Sequence, residues 1–109
     1  MPAEILVTEL DRKQKAGDDF VLVDCREQDE HAYCRIQGAT LIPLSLWTQE
    51  ALSQLDHHKN KEIVIYCHHG MRSWQAGSFL EQHGFSNVKN LSGGIEAWSL
   101  EIDPKVKRY

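Results

Sequence analysis

The chain has 109 residues, of which 41% are hydrophobic and 26% charged, and its formal net charge is −4. This length is enough for one domain with a single core and too short for two. The acidic balance argues against a dedicated nucleic-acid-binding protein, which needs a basic surface for phosphate contacts. We therefore expect an ordinary soluble globular domain without a nucleic-acid partner.

The N-terminal stretch MPAEILVTEL has neither a basic leader nor an apolar run of signal-peptide length, and no other segment could span a bilayer. The sequence thus predicts a cytoplasmic protein without a membrane partner. The apolar run at 5–7 predicts the first strand. Thr8 is the expected N-cap of a helix that carries Glu9 and Asp11 in its first turn and ends at Gly17.

Two further apolar runs, at 20–24 and 40–44, predict the second and third strands. Ser45 is the expected N-cap of the helix that follows the third strand. In that helix apolar residues recur at helical spacing from Trp47 to Leu55, which indicates one face turned towards the core.

The second half of the chain repeats the alternation of strand and helix. The run EIVIYC at 62–67 predicts the fourth strand, and a weaker run at 87–91 predicts the fifth. Between them lies an apolar helical face that ends at Gly84 and Phe85, a typical helix stop with its hydrophobic contact. The pattern predicts a single α/β domain over residues 1–109, with a mostly parallel sheet and helices on both faces.

Functional sites in such folds form at the carboxyl ends of strands, where segment 24–26 and the loop beginning at Cys67 are expected. A strand that turns into a helix aims several N–H groups at one point, so a cysteine there gains thiolate character. Arg72 adds a permanent charge, Gly70 permits an unusual backbone conformation, and Ser73 is the expected cap of the next helix. Cys67 is therefore a candidate nucleophile.

Two other interpretations of this loop stay open. Cys67 could be a buried thiol at a strand end, beside a solvated turn. Cys67, His68 and His69 are also residue types that bind zinc or copper, but adjacent residues rarely converge on one ion, and no CxxC or HxxxH spacing completes the set. We therefore predict no metal site. The odd number of cysteines, 3, does not indicate a disulfide framework.

The sequence resembles the single-domain rhodaneses, a sulfurtransferase family, over nearly its whole length. The resemblance rests on three ordered segments, VDCREQDEHAYCRIQGATLIPL, IVIYCHHGMRSWQAGSFLEQHGF and NVKNLSGGIEAW. It implies a rhodanese-like fold with a five-stranded, mostly parallel sheet, and a catalytic cysteine that carries a persulfide within a six-residue loop. The catalytic position corresponds to Cys67, and the loop that binds the substrate and the persulfide corresponds to His68, His69, Gly70, Met71, Arg72 and Ser73.

Loop length separates this pattern from related cysteine phosphatases and arsenate reductases, which place five residues between Cys and Arg. Here four residues separate Cys67 from Arg72, so the cradle is smaller and fits a terminal sulfur better. The resemblance implies transfer of sulfane sulfur from thiosulfate or a persulfide donor to cyanide or a thiol acceptor, without a metal or organic cofactor. A non-enzymatic rhodanese module for protein interaction or redox sensing is the alternative. Such modules have usually lost the catalytic cysteine, whereas this chain keeps Cys67.

The resemblance also implies the partners and the supporting residues. We expect a small-molecule sulfur donor such as thiosulfate, a protein sulfur donor or acceptor as a further partner, and a monomer. Asp24, Arg26 and Glu30 match acidic, basic and acidic positions at which an ion pair and hydrogen bonds hold the backbone near the loop; direct substrate contact is the alternative. Cys25 can be a resolving thiol that pairs with Cys67 under oxidation, or a buried small residue.

His68 and His69 occupy positions that vary in the family. Neutral imidazoles attract an anionic donor less than lysine does, so turnover with thiosulfate should rise as the pH falls towards the histidine range, unless both rings only face solvent. The tail GGIEAWSLEIDPKVKRY is also similar to rhodanese domains of enzymes that activate sulfur carriers. Its Gly93 and Gly94 are expected turn residues before a short helix anchored by Trp98.

Overall fold

A computed structural model describes residues 1–109. It contains five strands and five α-helices in the chain order β1 (Ala3–Ile5), α1 (Val7–Ala16), β2 (Val21–Asp24), α2 (Gln28–Tyr33), β3 (Thr40–Leu41), α3 (Trp47–Leu55), β4 (Ile63–Tyr66), α4 (Met71–Gln82), β5 (Val88–Leu91) and α5 (Gly94–Glu101). Two short 3-10 turns, Leu44–Leu46 and Asp56–His58, flank α3.

The strands form one five-stranded sheet in the order β1-β5-β4-β2-β3, and every pair is parallel. This confirms the predicted parallel α/β architecture. β4 lies at the centre and pairs with β2 in a register that sets Asp24 opposite Tyr66. The segments that follow Asp24 and Tyr66 are therefore neighbours at the carboxyl edge of the sheet.

Successive side chains of the central strands point into two separate cores. On one face Val23 and Ile65 pack among residues of α3 and α4, and on the other Leu22 and Val64 pack among residues of α1 and α5. Helices thus cover both faces of the sheet, as the uninterrupted apolar runs predicted. No helix is long and apolar enough to cross a membrane.

The N-terminal boundaries differ from the prediction. The first strand covers Ala3–Ile5 instead of 5–7, because these residues pair with β5 and the chain turns into a helix immediately afterwards. Val7 begins α1 and buries its side chain on the same face as Leu10, one helical turn later. Thr8 therefore lies inside the first turn and is not the N-cap, a place that Leu6 takes without a side-chain hydrogen bond.

The third strand is also shorter than the predicted run at 40–44, and it ends at Leu41. Pro43 has no N–H to continue a ladder, and a 3-10 turn follows it. Ser45 lies in that turn instead of capping α3. Its hydroxyl donates to Glu27 Oε1 at 2.6 Å, so it ties this segment to the start of α2.

Two predicted helix ends are confirmed. Gly17 follows α1 in the left-handed conformation, with φ of 72°, and its N–H bonds to the last turn of the helix. Gly84 likewise has φ of 90°, and the N–H of the buried Phe85 donates to Leu80 O at 3.1 Å. Gly38, in the turn between α2 and β3, has φ of 89°.

Candidate active site

Cys67 lies directly after β4, the central strand, and its side chain is almost completely buried. The chain turns sharply after it, with φ of 118° at Gly70, and α4 begins at Met71. This conformation is available to glycine at little cost. The turn brings the Gly70 N–H back to the cysteine, where it donates to Cys67 Sγ at 3.0 Å. The candidate nucleophile thus lies between a strand and a helix, as the sequence predicted.

The surroundings of the Cys67 sulfur stabilise a thiolate. The pKa of Cys67 is lowered to about 4. Hydrogen bonding from the Cys25 thiol is the largest cause; burial opposes it, and the Ser73 hydroxyl and the backbone N–H groups of Ser73 and Gly70 lower the pKa further. The thiol is therefore ionised at neutral pH and ready to act as a nucleophile.

Ser73 does not cap α4, because the helix begins two residues earlier and Gly70 is its N-cap. Its buried hydroxyl instead lies 3.3 Å from Cys67 Sγ and also contacts Asn90 Oδ1 in a short hydrogen bond. A hydroxyl has only one proton to donate. The thiolate and the amide oxygen therefore compete for the same proton.

Asn90 on β5 and Glu4 on β1 complete this arrangement. Asn90 Nδ2 donates to the Glu4 carboxylate at 3.0 Å and to Gly70 O at 3.0 Å, which fixes the orientation of the amide and leaves Oδ1 towards Ser73. Neither residue was predicted from the sequence. Asn90 was a polar residue in a weak apolar run, and only the sheet order brings it beneath the loop.

The start of α5 holds the backbone of the loop from the other side. The N–H of Ile95 donates to Cys67 O at 2.9 Å, and the N–H of Glu96 donates to His68 O at 3.2 Å. Gly94 makes this approach possible, because a Cβ there would lie 2.4 Å from His68 O, and its φ of 60° also favours glycine. The predicted helix anchored by the buried Trp98 is present, and Gly94 is a close-packing residue as well as a turn residue.

Arg72 at the start of α4 forms a bidentate ion pair with Glu30 of α2. The two guanidinium nitrogens donate to the Glu30 carboxylate at 2.7 and 2.9 Å. These bonds lower the pKa of Glu30 to about 2; burial opposes them, and the Tyr109 hydroxyl supports them. The permanent charge that the sequence predicted beside the loop is thus engaged by a carboxylate of the same chain.

Asp24 and Arg26 form a second, fully buried ion pair after β2. Arg26 Nη2 donates to Asp24 Oδ2 at 2.7 Å, and both side chains are 0% exposed. The same carboxylate accepts from the Tyr66 hydroxyl at 3.1 Å and lies 2.8 Å from His31 Nδ1. Since no bond from this cluster reaches Cys67 Sγ, its visible contribution is to fix the strand ends around the loop.

The family is decided by comparison with known sequences. The sequence profile of the rhodanese-like domain matches residues 6–101. The chain belongs to the rhodanese family. It is 37% identical over 99 residues to a sulfurtransferase of Allochromatium vinosum, with 91% of this chain and 90% of that protein covered. It is also 37% identical over 102 residues to the putative sulfurtransferase YtwF of Bacillus subtilis, with 94% of this chain and 95% of that protein covered.

The rhodanese fold is confirmed by solved structures. A rhodanese-related protein from Thermoplasma volcanium superposes with a TM-score of 0.80 at 30% identity, covering 98% of this chain and 99% of that one. Several curated relatives are longer than this rhodanese domain, which spans only 24% of the probable adenylyltransferase/sulfurtransferase MoeZ of Mycobacterium tuberculosis at 36% identity. It spans 37% of a chloroplastic rhodanese-like/PpiC domain protein of Arabidopsis thaliana. The expected similarity to rhodanese domains of adenylating enzymes is therefore present.

The two histidines of the rhodanese loop differ in their surroundings. The His68 ring stacks on His69 and on Tyr109, each at 4.0 Å between ring centroids, and its Nε2 is buried without a hydrogen-bond partner. Burial is the largest cause that lowers the pKa of His68, and His69 adds to it. His69 is exposed. The interpretation that both rings only face solvent is thus wrong for His68.

Tyr109, at the C-terminal end of the sequence, was not identified as a site residue. Its hydroxyl donates to Glu30 Oε2 at 2.6 Å and accepts from Arg26 Nη1 at 3.0 Å, while its ring covers His68. Tyr109 therefore links the two ion pairs beside the rhodanese loop. Sequence distance concealed it, because nothing in the pattern of the tail indicates a return to the edge of the sheet.

On the opposite side of the loop an open cavity of about 450 Å³ is lined by Gly70, Met71, Trp74 and Asn90, among others. The Met71 side chain is 79% exposed at its rim. No cluster of three or more histidine, cysteine, aspartate or glutamate side chains is arranged to hold a metal ion. The side chains of His69 and Met71 are thus exposed in the rhodanese loop, whereas that of Cys67 is buried.

Proposed function

We propose that this domain is a sulfurtransferase that carries sulfane sulfur as a persulfide on Cys67. The observation that carries the proposal is the Cys67 thiolate, with its pKa lowered to about 4, in a loop whose Gly70 N–H points at the sulfur. Membership of the rhodanese family and the relatives named as sulfurtransferases support the same class of reaction. The low pKa keeps the nucleophile charged at neutral pH.

The reaction proceeds in two displacements. The Cys67 thiolate attacks the outer sulfur of thiosulfate, the bond between the two sulfur atoms of thiosulfate breaks, and sulfite leaves with its electron pair. Cyanide or an acceptor thiolate then attacks the outer sulfur of the persulfide and releases the Cys67 thiolate. The N–H of Gly70 and the hydroxyl of Ser73 stabilise the negative charge on Cys67 Sγ before the first attack and again when the thiolate is released.

Arg72 has a more indirect part in this proposal than the sequence predicted. Its guanidinium is bound by Glu30 at both nitrogens, so much of its charge is already balanced within the chain. We assign it to holding α2 against the start of α4, next to the loop amides. The four-residue gap between Cys67 and Arg72 still argues against a phosphatase or arsenate reductase, whose wider loop surrounds a tetrahedral oxyanion.

The protein partner and the setting are part of the proposal. The MoeZ relative is named as a probable adenylyltransferase/sulfurtransferase, so a protein sulfur acceptor is one class of partner for this domain. The buried free thiols Cys25, Cys34 and Cys67 fit a reducing compartment such as the cytoplasm. A small-molecule sulfur donor such as thiosulfate is the other class of partner.

The test is mass spectrometry of the intact protein and of its peptides after incubation with thiosulfate. We expect the Cys67 peptide to gain one sulfur atom, cyanide to remove it, and Cys67→Ser to gain none. Cys34→Ser is the matched control and should gain sulfur like the wild type, since Cys34 lies in the other core. A wild-type protein that releases no sulfite from thiosulfate and gains no sulfur from thiosulfate or from a persulfidated protein would favour a non-enzymatic binding module.

A further inference from the structure

Cys25 lies beside the candidate catalytic cysteine in the sheet. β2 and β4 pair in parallel up to Asp24 and Tyr66, and the Cys25 N–H donates to Tyr66 O at 3.1 Å, so the pairing continues by one residue. This sets Cys25 next to Cys67 on the adjacent strand. Both side chains belong to the same core cluster, with exposures of 0% and 1%.

The strand geometry allows the two sulfurs to bond. Neighbouring strands lie about 4.8 Å apart, and disulfides join residues whose Cα atoms are about 4.4 to 6.8 Å apart. The two side chains point to the same face, and the Cys25 thiol is the largest cause that lowers the pKa of Cys67. Cys34, the remaining cysteine, lies in the core on the opposite face of the sheet. Cys67 is therefore the one sulfur within reach of Cys25.

We propose that Cys25 gives this site a second reaction, the release of the bound sulfur as hydrogen sulfide. The inference rests on the proposed persulfide of Cys67. The Cys25 sulfur attacks Sγ of the Cys67 persulfide and forms a disulfide between the two residues. The bond between Cys67 Sγ and the outer sulfur breaks, and the outer sulfur leaves as HS⁻ with the electron pair of that bond and the proton of Cys25.

The electrons balance within this step. Two thiol sulfurs are oxidised to a disulfide by loss of one electron each, and the sulfane sulfur takes both electrons and becomes sulfide. A second turnover requires a dithiol reductant, either a small molecule or a protein, which reduces the disulfide and restores both cysteines. The site would then pass sulfur either to an external acceptor or, through Cys25, into solution as sulfide.

Loading of Cys67 activates Cys25. In the resting site the negative charge sits on Cys67 Sγ, and the hydrogen bond to that sulfur together with burial raises the pKa of Cys25 and keeps its proton in place. Formation of the persulfide moves the charge to the outer sulfur, towards the loop amides and away from Cys25. Cys25 then loses the neighbour that held its proton, and Cys67 Sγ becomes the electrophile.

A single-turnover experiment tests the inference. The wild type, Cys25→Ser, Cys25→Ala and Cys34→Ser are mixed with excess thiosulfate in the absence of oxygen, and samples are taken from the moment of mixing. Sulfide is then measured with a bimane reagent, and the Cys25–Cys67 linkage is measured by peptide mass spectrometry without reduction. No thiol or cyanide is added during this period. The persulfide that each Cys25 variant forms shows that its site is folded.

We expect the wild type and Cys34→Ser to release one sulfide per persulfide and to gain the disulfide in step with it. Both Cys25 variants should keep the persulfide and release sulfide at least about tenfold more slowly, because the neighbouring thiol is missing. Equal release from the wild type and both Cys25 variants, or a disulfide that forms without sulfide, would overturn the inference while the proposed function stands. Failure of every protein to form a persulfide would overturn both.

Discussion

The hydroxyl of Ser73 offers the sharpest test of how the Cys67 thiolate is stabilised. It lies 3.3 Å from the sulfur, and Ser73→Ala removes it without changing the backbone of α4. A hydrogen bond to a charged group contributes about 1.5 to 3 kcal/mol, and one pKa unit corresponds to about 1.4 kcal/mol. If the proton is given to the thiolate, the substitution should raise the pKa of Cys67 from about 4 by roughly one to two units.

The assay is the rate of alkylation of Cys67 by iodoacetamide as a function of pH, followed on the Cys67 peptide so that the other cysteines do not contribute. The measurement must extend into acid, because a thiol with a pKa of about 6 or less is still mostly ionised at pH 7. Rates at neutral pH alone would therefore hide the shift. Thermal unfolding should also show a loss of about 1 to 3 kcal/mol, since Asn90 Oδ1 is left buried without its donor.

Ser78→Ala is the matched control, because Ser78 lies on the same helix and its buried hydroxyl has no hydrogen-bond partner. It should leave the alkylation curve of Cys67 unchanged. Coincident curves for Ser73→Ala and the wild type would refute the reasoning and would mean that the Ser73 proton belongs to Asn90. An equal shift in Ser78→Ala would show that the method reports a general change in the helix.

Three further predictions concern the supports of the loop. Asn90→Asp should raise the pKa of Cys67, because a carboxylate at this position accepts the Ser73 proton and adds negative charge near the sulfur. An unchanged or lower pKa of Cys67 in the alkylation assay would contradict this. Gly94→Ala should lower the free energy of unfolding in urea by at least about 2 kcal/mol more than Gly17→Ala does. Both glycines have positive φ, but only at Gly94 would a new Cβ lie 2.4 Å from a carbonyl oxygen. Equal losses would argue against the close contact. The ion pair of Glu30 should stabilise the fold fully above pH 4.5 and lose this contribution as the pH falls towards 2, because the folded-state pKa of Glu30 is lowered to about 2. The free energies of unfolding of the wild type and of Glu30→Gln, measured in urea, should therefore converge in acid. A difference that stays constant with pH would count against this prediction.

The sequence was sufficient for the fold and for the position of the candidate nucleophile between a strand and a helix, because both are signalled locally. Uninterrupted apolar runs such as 62–67 indicate a covered parallel sheet, and a cysteine between such a run and an amphipathic helix lies where loop amides favour a thiolate. Helix ends at Gly17 and Gly84 were also predictable, since positive φ selects glycine. These features depend on a few neighbouring residues.

The parts that the sequence did not predict depend on partners far along the chain. Ser45 and Thr8 both have side chains that can cap a helix. Ser45 instead hydrogen-bonds to Glu27 at the start of α2. Pairing of β1 with β5 sets the start of α1 so that Thr8 lies inside the helix. Asn90 and Tyr109 reach the site only through the sheet order and the return of the tail. Local propensity carries no information about such contacts.

The attachment of the loop backbone at both ends has an implication for how this domain can change. The carbonyl groups of Cys67 and His68 are fixed by the start of α5, and the Gly70 carbonyl is fixed by Asn90. The proposed cradle for sulfur is therefore made of backbone that does not depend on the side chains around its rim. His69 and Met71 are exposed there and make none of these bonds. Substitutions at 69 and 71 can therefore retune which donor or acceptor docks without rebuilding the sulfur-binding chemistry, which makes this rim the natural place to redirect the domain towards a new partner.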